Sequence, residues 1–347
     1  MWSDLDSITV RSASPADREA WDAYVRTQAR AHPYQLYDWN QVFREAFGCE
    51  TCYLLGEVDK RIVGVLPLFM VRRSLLGGKW ISSMPGGVLA DHGAVAQRLI
   101  EASIELTQAR GACYLSLRDS VVKHHDGRFQ TRTAHSYTLS VESSPVAAWA
   151  SMPSKFRQRV RKARRDGLTA MWDNANISGF YHAYAARMHD FGTPALPKRF
   201  FAQSLVCFPE HARLLIIHFG DRAIASGFLF GLEGTLYFLI GAALHQFFGL
   251  PAMELALWEV IEHACEAGFH TIDLGRSVPG SGQARWKEKY LARSQEFYYQ
   301  FFMKDGGTAP ELRGGKLYRW GSILWRHLPL PVANILSPVV RRRIPLG

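Results

Sequence analysis

Between Asp273 and Lys287 the chain reads DLGRSVPGSGQARWK. A site that holds an anion and stabilises developing negative charge needs cations, closely approaching backbone N–H groups and a group that can take a proton. This segment holds residue types for each task. Arg276 at a strand end can pair with an anionic group. Ser277, followed by the Pro279-Gly280-Ser281-Gly282 turn, lets backbone N–H groups approach a ligand closely. Lys287, next to Trp286, can stabilise an oxyanion or hold a phosphate, and Asp273 can orient Arg276 or act as the base. On residue types alone, a structural loop with surface charges explains the segment at least as well.

A second constellation is SKFRQRVRKARR at 154–165, with seven cations among the eleven residues from Lys155 to Arg165. Phe156, Val160 and Ala163 fall at i, i+4 and i+7, which predicts a helix with one narrow apolar stripe and cations elsewhere. Arg157, Arg161, Arg164 and Arg165 are candidate phosphate-binding residues, since clustered guanidinium groups grip phosphate bidentately. A solvated helix face is the alternative. Tyr37 and Trp39 in HPYQLYDW, and Arg199 in FGTPALPKRFF, are candidates to line an acceptor groove; for each taken singly, core or loop anchoring is the competing reading.

Other motifs carry less. Cys49 and Cys52 have C-x-x-C spacing without a second pair, so buried thiols are expected rather than a metal site. His124-His125-Asp126 reads as a polar turn, and His182 and His189 lack a third ligand beside them. No nucleophile elbow or phosphate-binding Walker loop is present. No metal is expected.

The elements that must position these residues lie in a chain of 347 residues, 48% hydrophobic and 21% charged, which is long enough for two domains. A net charge of +10 favours anionic partners. No apolar run is long enough for a spanning helix, and MWSDLDSITV lacks the pattern of a signal peptide. Together with an odd count of five cysteines, this gives the expectation of a cytoplasmic protein.

The strand and helix signals repeat. TCYLLGEVDKRIVGVLPLFMVRR predicts a hairpin, VAQRLIEASIELTQARG a helix and CYLSL a strand. LLIIHFGDRAIASGFLFGLEGTLYFLIG predicts three strands, PAMELALWEVIEHACEAG a helix and HTIDLG a strand. Asp59-Lys60-Arg61-Ile62 aligns with Asp221-Arg222-Ala223-Ile224, and residues 109–120 align with 266–277 at nearly the same offset. Tandem copies of one α+β unit follow, with two mixed, mostly antiparallel sheets flanked by helices. The expected boundaries are 1–143 for the first copy, 144–168 for the basic helical segment, 169–305 for the second copy and 306–347 for a basic, aromatic tail. That tail either packs back on the domains or lies at a membrane interface.

On IDLGRSVPGSGQARWKEKY (272–290), HPYQLYDW (32–39), KFRQRVRKARRDGL (155–168) and FGTPALPKRFF (191–201), the sequence resembles the Fem-type peptidyltransferases and BioF2-like acetyltransferases. These are tandem members of the Gcn5-related N-acyltransferase (GNAT) superfamily. It most resembles the branch associated with bacterial exopolysaccharide and exosortase (PEP-CTERM) systems. The resemblance implies a tandem GNAT fold and a transfer role for Lys287, with an amine of a cell-envelope or exopolysaccharide precursor as acceptor. The implied donor is acyl-coenzyme A or aminoacyl-tRNA. The implied partners are a small-molecule, glycan- or lipid-linked anionic acceptor, tRNA in the aminoacyl case, and peripheral contact with the inner membrane. A catalytically degenerate accessory protein that binds polysaccharide or membrane is the non-enzymatic alternative. Two departures stand out. No long coiled-coil arm is visible, and His245-Gln246-Phe247-Phe248-Gly249-Leu250-Pro251 occupies the place of the family's glycine-rich pyrophosphate loop.

Overall fold

The computed structural model describes residues 7–71, 78–119, 123–310 and 316–343. In chain order the elements are β1 (Thr9–Ser12), α1 (Arg18–Thr27), α2 (Trp39–Phe47), β2 (Glu50–Val58), β3 (Arg61–Val71), β4 (Trp80–Ser83), β5 (Leu89–Ala90), α3 (Gly93–Ala109), β6 (Tyr114–Asp119) and β7 (Phe129–Ser140). There follow α4 (Pro145–Ser151), α5 (Ser154–Arg165), β8 (Leu168–Trp172), α6 (Ile177–Asp190), α7 (Lys198–Cys207), β9 (Ala212–Phe219), β10 (Arg222–Leu232) and β11 (Thr235–Ala243). The last are α8 (Ala252–Glu266), β12 (Thr271–Ser277), α9 (Gly282–Lys289), β13 (Arg293–Met303), α10 (Lys316–His327) and α11 (Leu330–Arg341).

The chain divides into two compact units, one of residues 1–134, 296–312 and 342–347, the other of 135–295 and 313–341. In the first, β1, β2, β3 and β4 pair antiparallel in succession, β4 pairs parallel with β6, and β6 pairs antiparallel with β13. The second runs β8, β9, β10 and β11 antiparallel, then β12 parallel to β11 and β7 antiparallel to β12. Apart from β5, which pairs with β3 and has no counterpart among the described strands of the second unit, the two topologies are the same, so the chain is a tandem repeat of one mixed sheet. A second exception is provenance. The strand that follows β6 in sequence pairs with β12, and the strand that follows β12 pairs with β6.

Each parallel pair needs a crossover helix, supplied by α3 and α8. Val95, Leu99 and Ile104 of α3 are buried with Leu54, Leu66 and Leu68 of the hairpin beneath. In the second unit Leu255, Trp258 and Ile261 of α8 pack with Leu215, Ile217, Leu229 and Ile272. The predicted stripe of α5 is here too: Phe156, Val160 and Ala163 are fully buried in that core. The hairpin turns are Asp59-Lys60 and Gly220-Asp221, so the copies register there one residue off the alignment of the two Asp residues.

The tail folds onto the second unit as a helical hairpin. Ser322 Oγ donates to Phe191 O at 3.2 Å, Leu328 O meets His189 Nε2 at 2.8 Å, and Ala195 N donates to Ser337 Oγ at 3.2 Å. Residues 311–315 and 344–347 of the expected tail segment lie outside the described residues. No described helix is long and apolar enough to cross a membrane.

Candidate active site

In the second unit β11 and β12 pair at only three positions, Thr235–Thr271, Leu236–Ile272 and Tyr237–Asp273. Beyond Asp273 no pairing joins the two strands among the described residues, although β11 continues to Ala243 and β12 to Ser277. Two parallel strands that part in this way expose backbone groups and side chains at the ends of both. The candidate segment starts at that point of separation.

A bulge shapes it. Against β7, Asp273 faces Thr138 while Arg276 faces Ser136, three steps on one strand for two on the other. Gly275 takes the left-handed conformation, with φ of 69°. Asp273 Oδ1 accepts a hydrogen bond from the Gly275 amide at 2.6 Å, which fixes the bulge locally. Consecutive carbonyls of a regular strand point to opposite sides, but here both face one ammonium. Lys287 Nζ donates to Gly275 O at 2.8 Å and to Arg276 O at 3.4 Å.

Lys287 is carried by α9, whose start Ser281 caps by accepting from the Ala284 amide at 3.1 Å. Its side chain is buried, and Nζ lies 5.2 Å from the centroid of the Tyr137 ring. Tyr137, on β7, donates from its hydroxyl to Glu288 at 3.2 Å. Burial lowers the Lys287 pKa to about 8; Asp273 pulls it back up, and Arg276 pushes it further down. Desolvation raises the Asp273 pKa, opposed by the Gly275 amide, Lys287, Arg276 and the Ser136 hydroxyl. An acid and a base are thus pushed towards each other's range, as acid–base chemistry near neutral pH requires. Two of the three ammonium protons of Lys287 point at carbonyls, leaving the third for another acceptor. Ser277 Oγ is buried without a hydrogen-bond partner among the described residues.

Residues 151–288 match the family described as Acetyltransferase (GNAT) domain. Those residues carry a GNAT domain, and the chain has a tandem GNAT fold. Its fold is similar to that of FemX, at 13% identity and a TM-score of 0.66, over 84% of this chain and 96% of that one. It is also similar to a tandem GNAT protein from the clavulanic acid biosynthesis pathway (10% identity, TM-score 0.56, 87% and 100% covered). A third likeness is to the C-terminal domain of a putative lysylphosphatidylglycerol synthetase from Agrobacterium fabrum (11% identity, TM-score 0.56, 84% and 92% covered). No curated protein matches the sequence.

Within this GNAT fold, Asp273, Arg276, Ser277 and Lys287 come together at the parting of β11 and β12. Gly280 and Gly282 are exposed beside them, while Ser281 is occupied as a cap and Gly280 O accepts from Arg285 at 2.7 Å. Trp286 is half-buried and stands edge-on to Tyr290 at 5.3 Å. Tyr37 and Trp39 are elsewhere, in the aromatic core of the first unit. Trp39 lies 4.6 Å from Tyr34 and 5.9 Å from Phe43, and Tyr37 is edge-on to Trp21 at 5.9 Å. Both residues are buried, so neither ring offers a face to a ligand in this conformation. Arg199 is exposed at the start of α7, next to Lys198, which donates to Ser178 Oγ at 2.7 Å.

The basic helix is largely answered from within. Arg157 donates to three carbonyls at the end of α4, those of Trp149, Ala150 and Met152. Arg161 lies over the Trp149 ring at 5.5 Å. Arg164 pairs with Glu259 at 3.3 Å, and Lys162 with Asp166 at 2.6 Å. Arg165 and Lys155 remain exposed with no ion pair among the described residues. The residue that sequence reasoning missed is Glu254. It sits in the first turn of α8, buried, accepting from Arg159 Nε at 2.8 Å and from the Tyr290 hydroxyl at 3.0 Å. An acidic residue just after Pro251, four turns of helix before Gly268, was the available signal.

Proposed function

We propose that the second GNAT unit transfers an acyl or aminoacyl group to an amine of a cell-envelope or exopolysaccharide precursor. The acceptor nitrogen forms a C–N bond to the donor's acyl carbon, and the carbonyl electron pair moves to oxygen. Collapse breaks the donor's C–S or C–O bond; the amine nitrogen gives up a proton and the leaving thiolate or alkoxide gains one. Lys287 stabilises the developing oxyanion with its third proton. Asp273 takes the amine proton, and Arg276 with Ser277 and the Gly280–Gly282 turn holds the anionic part of a substrate. The observation that supports this most is the buried Lys287 ammonium, seated on the Gly275 and Arg276 carbonyls beside Asp273.

For the donor, aminoacyl-tRNA is favoured over acyl-coenzyme A by the start of α8. A helix N-terminus favours a pyrophosphate through its dipole and free N–H groups. Here a buried carboxylate, Glu254, already occupies that first turn and is matched by Arg159. The segment before it is a short turn over His245–Phe247 followed by the exposed Phe248, rather than a glycine-rich cradle.

Native mass spectrometry of the purified protein against acetyl-coenzyme A, aminoacyl-tRNA and nucleotide sugars tests the donor. Retention of the tRNA species, followed by transfer of its radiolabelled aminoacyl group to an envelope-precursor fraction, supports the reading. Retention of coenzyme A alone overturns the donor assignment. A folded Lys287→Ala variant that transfers at the wild-type rate overturns the site.

A further inference from the structure

The hairpin of α10 and α11 is amphipathic the wrong way round for a helix that only packs on protein. On α11 the residues turned inward are small: Ala333 and Ser337, both buried. The large apolar residues Val332, Ile335, Leu336 and Val339 recur at i, i+3, i+4 and i+7, and all four are exposed, Ile335 by 75%. On α10, Trp320, Ile323 and Leu324 follow the same rule, at 72%, 49% and 68% exposure, while Ser322 and Trp325 face the protein. A monomeric soluble surface seldom keeps so much contiguous apolar area without using it.

The charge around this face selects its occupant. From residue 312 to the C-terminus the sequence contains seven arginines and lysines and no Asp or Glu. Arg319, Arg326, Arg342 and Arg343 are exposed at the ends of the two helices. An apolar stripe with an exposed Trp, on helices whose charged residues are all cations, matches an anionic bilayer surface: the stripe enters the acyl boundary and the guanidinium groups meet phosphates. A second copy of this chain would bring the same cations against each other.

We infer that the α10–α11 hairpin docks this transferase on anionic phospholipid membranes, lying in the interface without crossing it. The inference rests on the hairpin alone and is independent of the donor and acceptor proposed above. It gives the enzyme a means to meet lipid-borne acceptors in two dimensions.

Co-sedimentation with vesicles tests it, using equimolar phosphatidylglycerol and phosphatidylcholine against phosphatidylcholine alone. The full-length protein is expected to pellet with the anionic vesicles and to be released by high salt. The double variant Leu324→Glu/Ile335→Glu should stay in the supernatant with an unchanged melting temperature, because both side chains are already in water. Arg342→Glu/Arg343→Glu should weaken partitioning by about fivefold or more for each charge removed. Equal partitioning of wild type and Leu324→Glu/Ile335→Glu, or indifference to lipid charge, overturns the inference. So does a wild-type dimer in light scattering that this variant dissociates while vesicles bind neither protein.

Discussion

Asp273 accepts a hydrogen bond from the amide of Gly275, two residues further along its own strand, at 2.6 Å. That short loop of chain is what turns two successive carbonyls towards Lys287. The carboxylate therefore builds the seat of the cation whose charge it also balances.

Replacing Gly275 tests the seat. Its φ of 69° strains any residue with a side chain, while an added Cβ would meet nothing closer than Phe238 O at 3.9 Å. Gly275→Ala should thus cost only about 1–2 kcal/mol of stability from the backbone. The transfer rate should fall much further than that cost implies, because the carbonyls that orient Lys287 move. Urea unfolding and single-turnover transfer, run on the same preparation, separate the two effects.

The titration of Lys287 gives a pH prediction with a definite sign. Its pKa falls from 10.5 to about 8 on folding. Between those values the unfolded chain binds more protons than the folded one, so this residue makes stability rise with pH across that window. The wild type should gain about 3 kcal/mol relative to Lys287→Met between pH 8 and pH 10.5. Denaturant melts of both proteins across the window check it. If the ammonium is the form that stabilises the oxyanion, transfer should decline above about pH 8, and Lys287→Arg should carry that decline to higher pH, whatever its maximal rate.

Glu254 is buried between Arg159 and Tyr290. Removing Arg159, whose side chain is 38% exposed, leaves a buried carboxylate facing a phenol. Arg159→Ala should destabilise by about 2 kcal/mol, below the cost of breaking a fully buried pair because solvent screens the arginine. Adding Glu254→Gln to it should recover part of the loss in the same melts, since the amide carries no charge to desolvate.

Gly192 tests how the tail is held. It takes φ of 66°, and a Cβ there would stand 2.2 Å from Ser322 Oγ and 2.4 Å from Ser322 O. Gly192→Ala should push α10 off the second unit. Limited tryptic proteolysis should then cut within α10, after Arg319 or Arg326, faster than in the wild type.

Much of this architecture was legible because its signals are local. The paired hairpins, α3, α8 and the stripe Phe156–Val160–Ala163 follow from hydrophobic periodicity and turn residues. The tandem copies follow from two matching segments at nearly one offset. Sequence reasoning did not find the strands β1, β4, β5, β8, β7 and β13 or the two tail helices; of these, β13 left a signal, since Phe297, Tyr299 and Phe301 alternate as a strand should. The partners of β7 and β13 are distant in sequence, and no short-range pattern reveals which strand each one joins. At the site, residue types and spacing pointed to Asp273, Arg276 and Lys287, but the bulge at Gly275 and the Tyr137 ring beside the ammonium depend on strand register. The basic helix invited a phosphate because its acidic partners, Glu254 and Glu259, lie almost a hundred residues away.

The exchanged strands have a bearing on how this chain can be made. No single cut yields two complete sheets: a piece ending after β6 lacks β13, and a piece starting after β7 lacks the partner of β12. On the ribosome the earlier sheet must wait, one edge open, until residue 303 has emerged. The N-terminal sheet therefore closes only after the last strand of the C-terminal one has been made, which ties the maturation of the first unit to synthesis of the second.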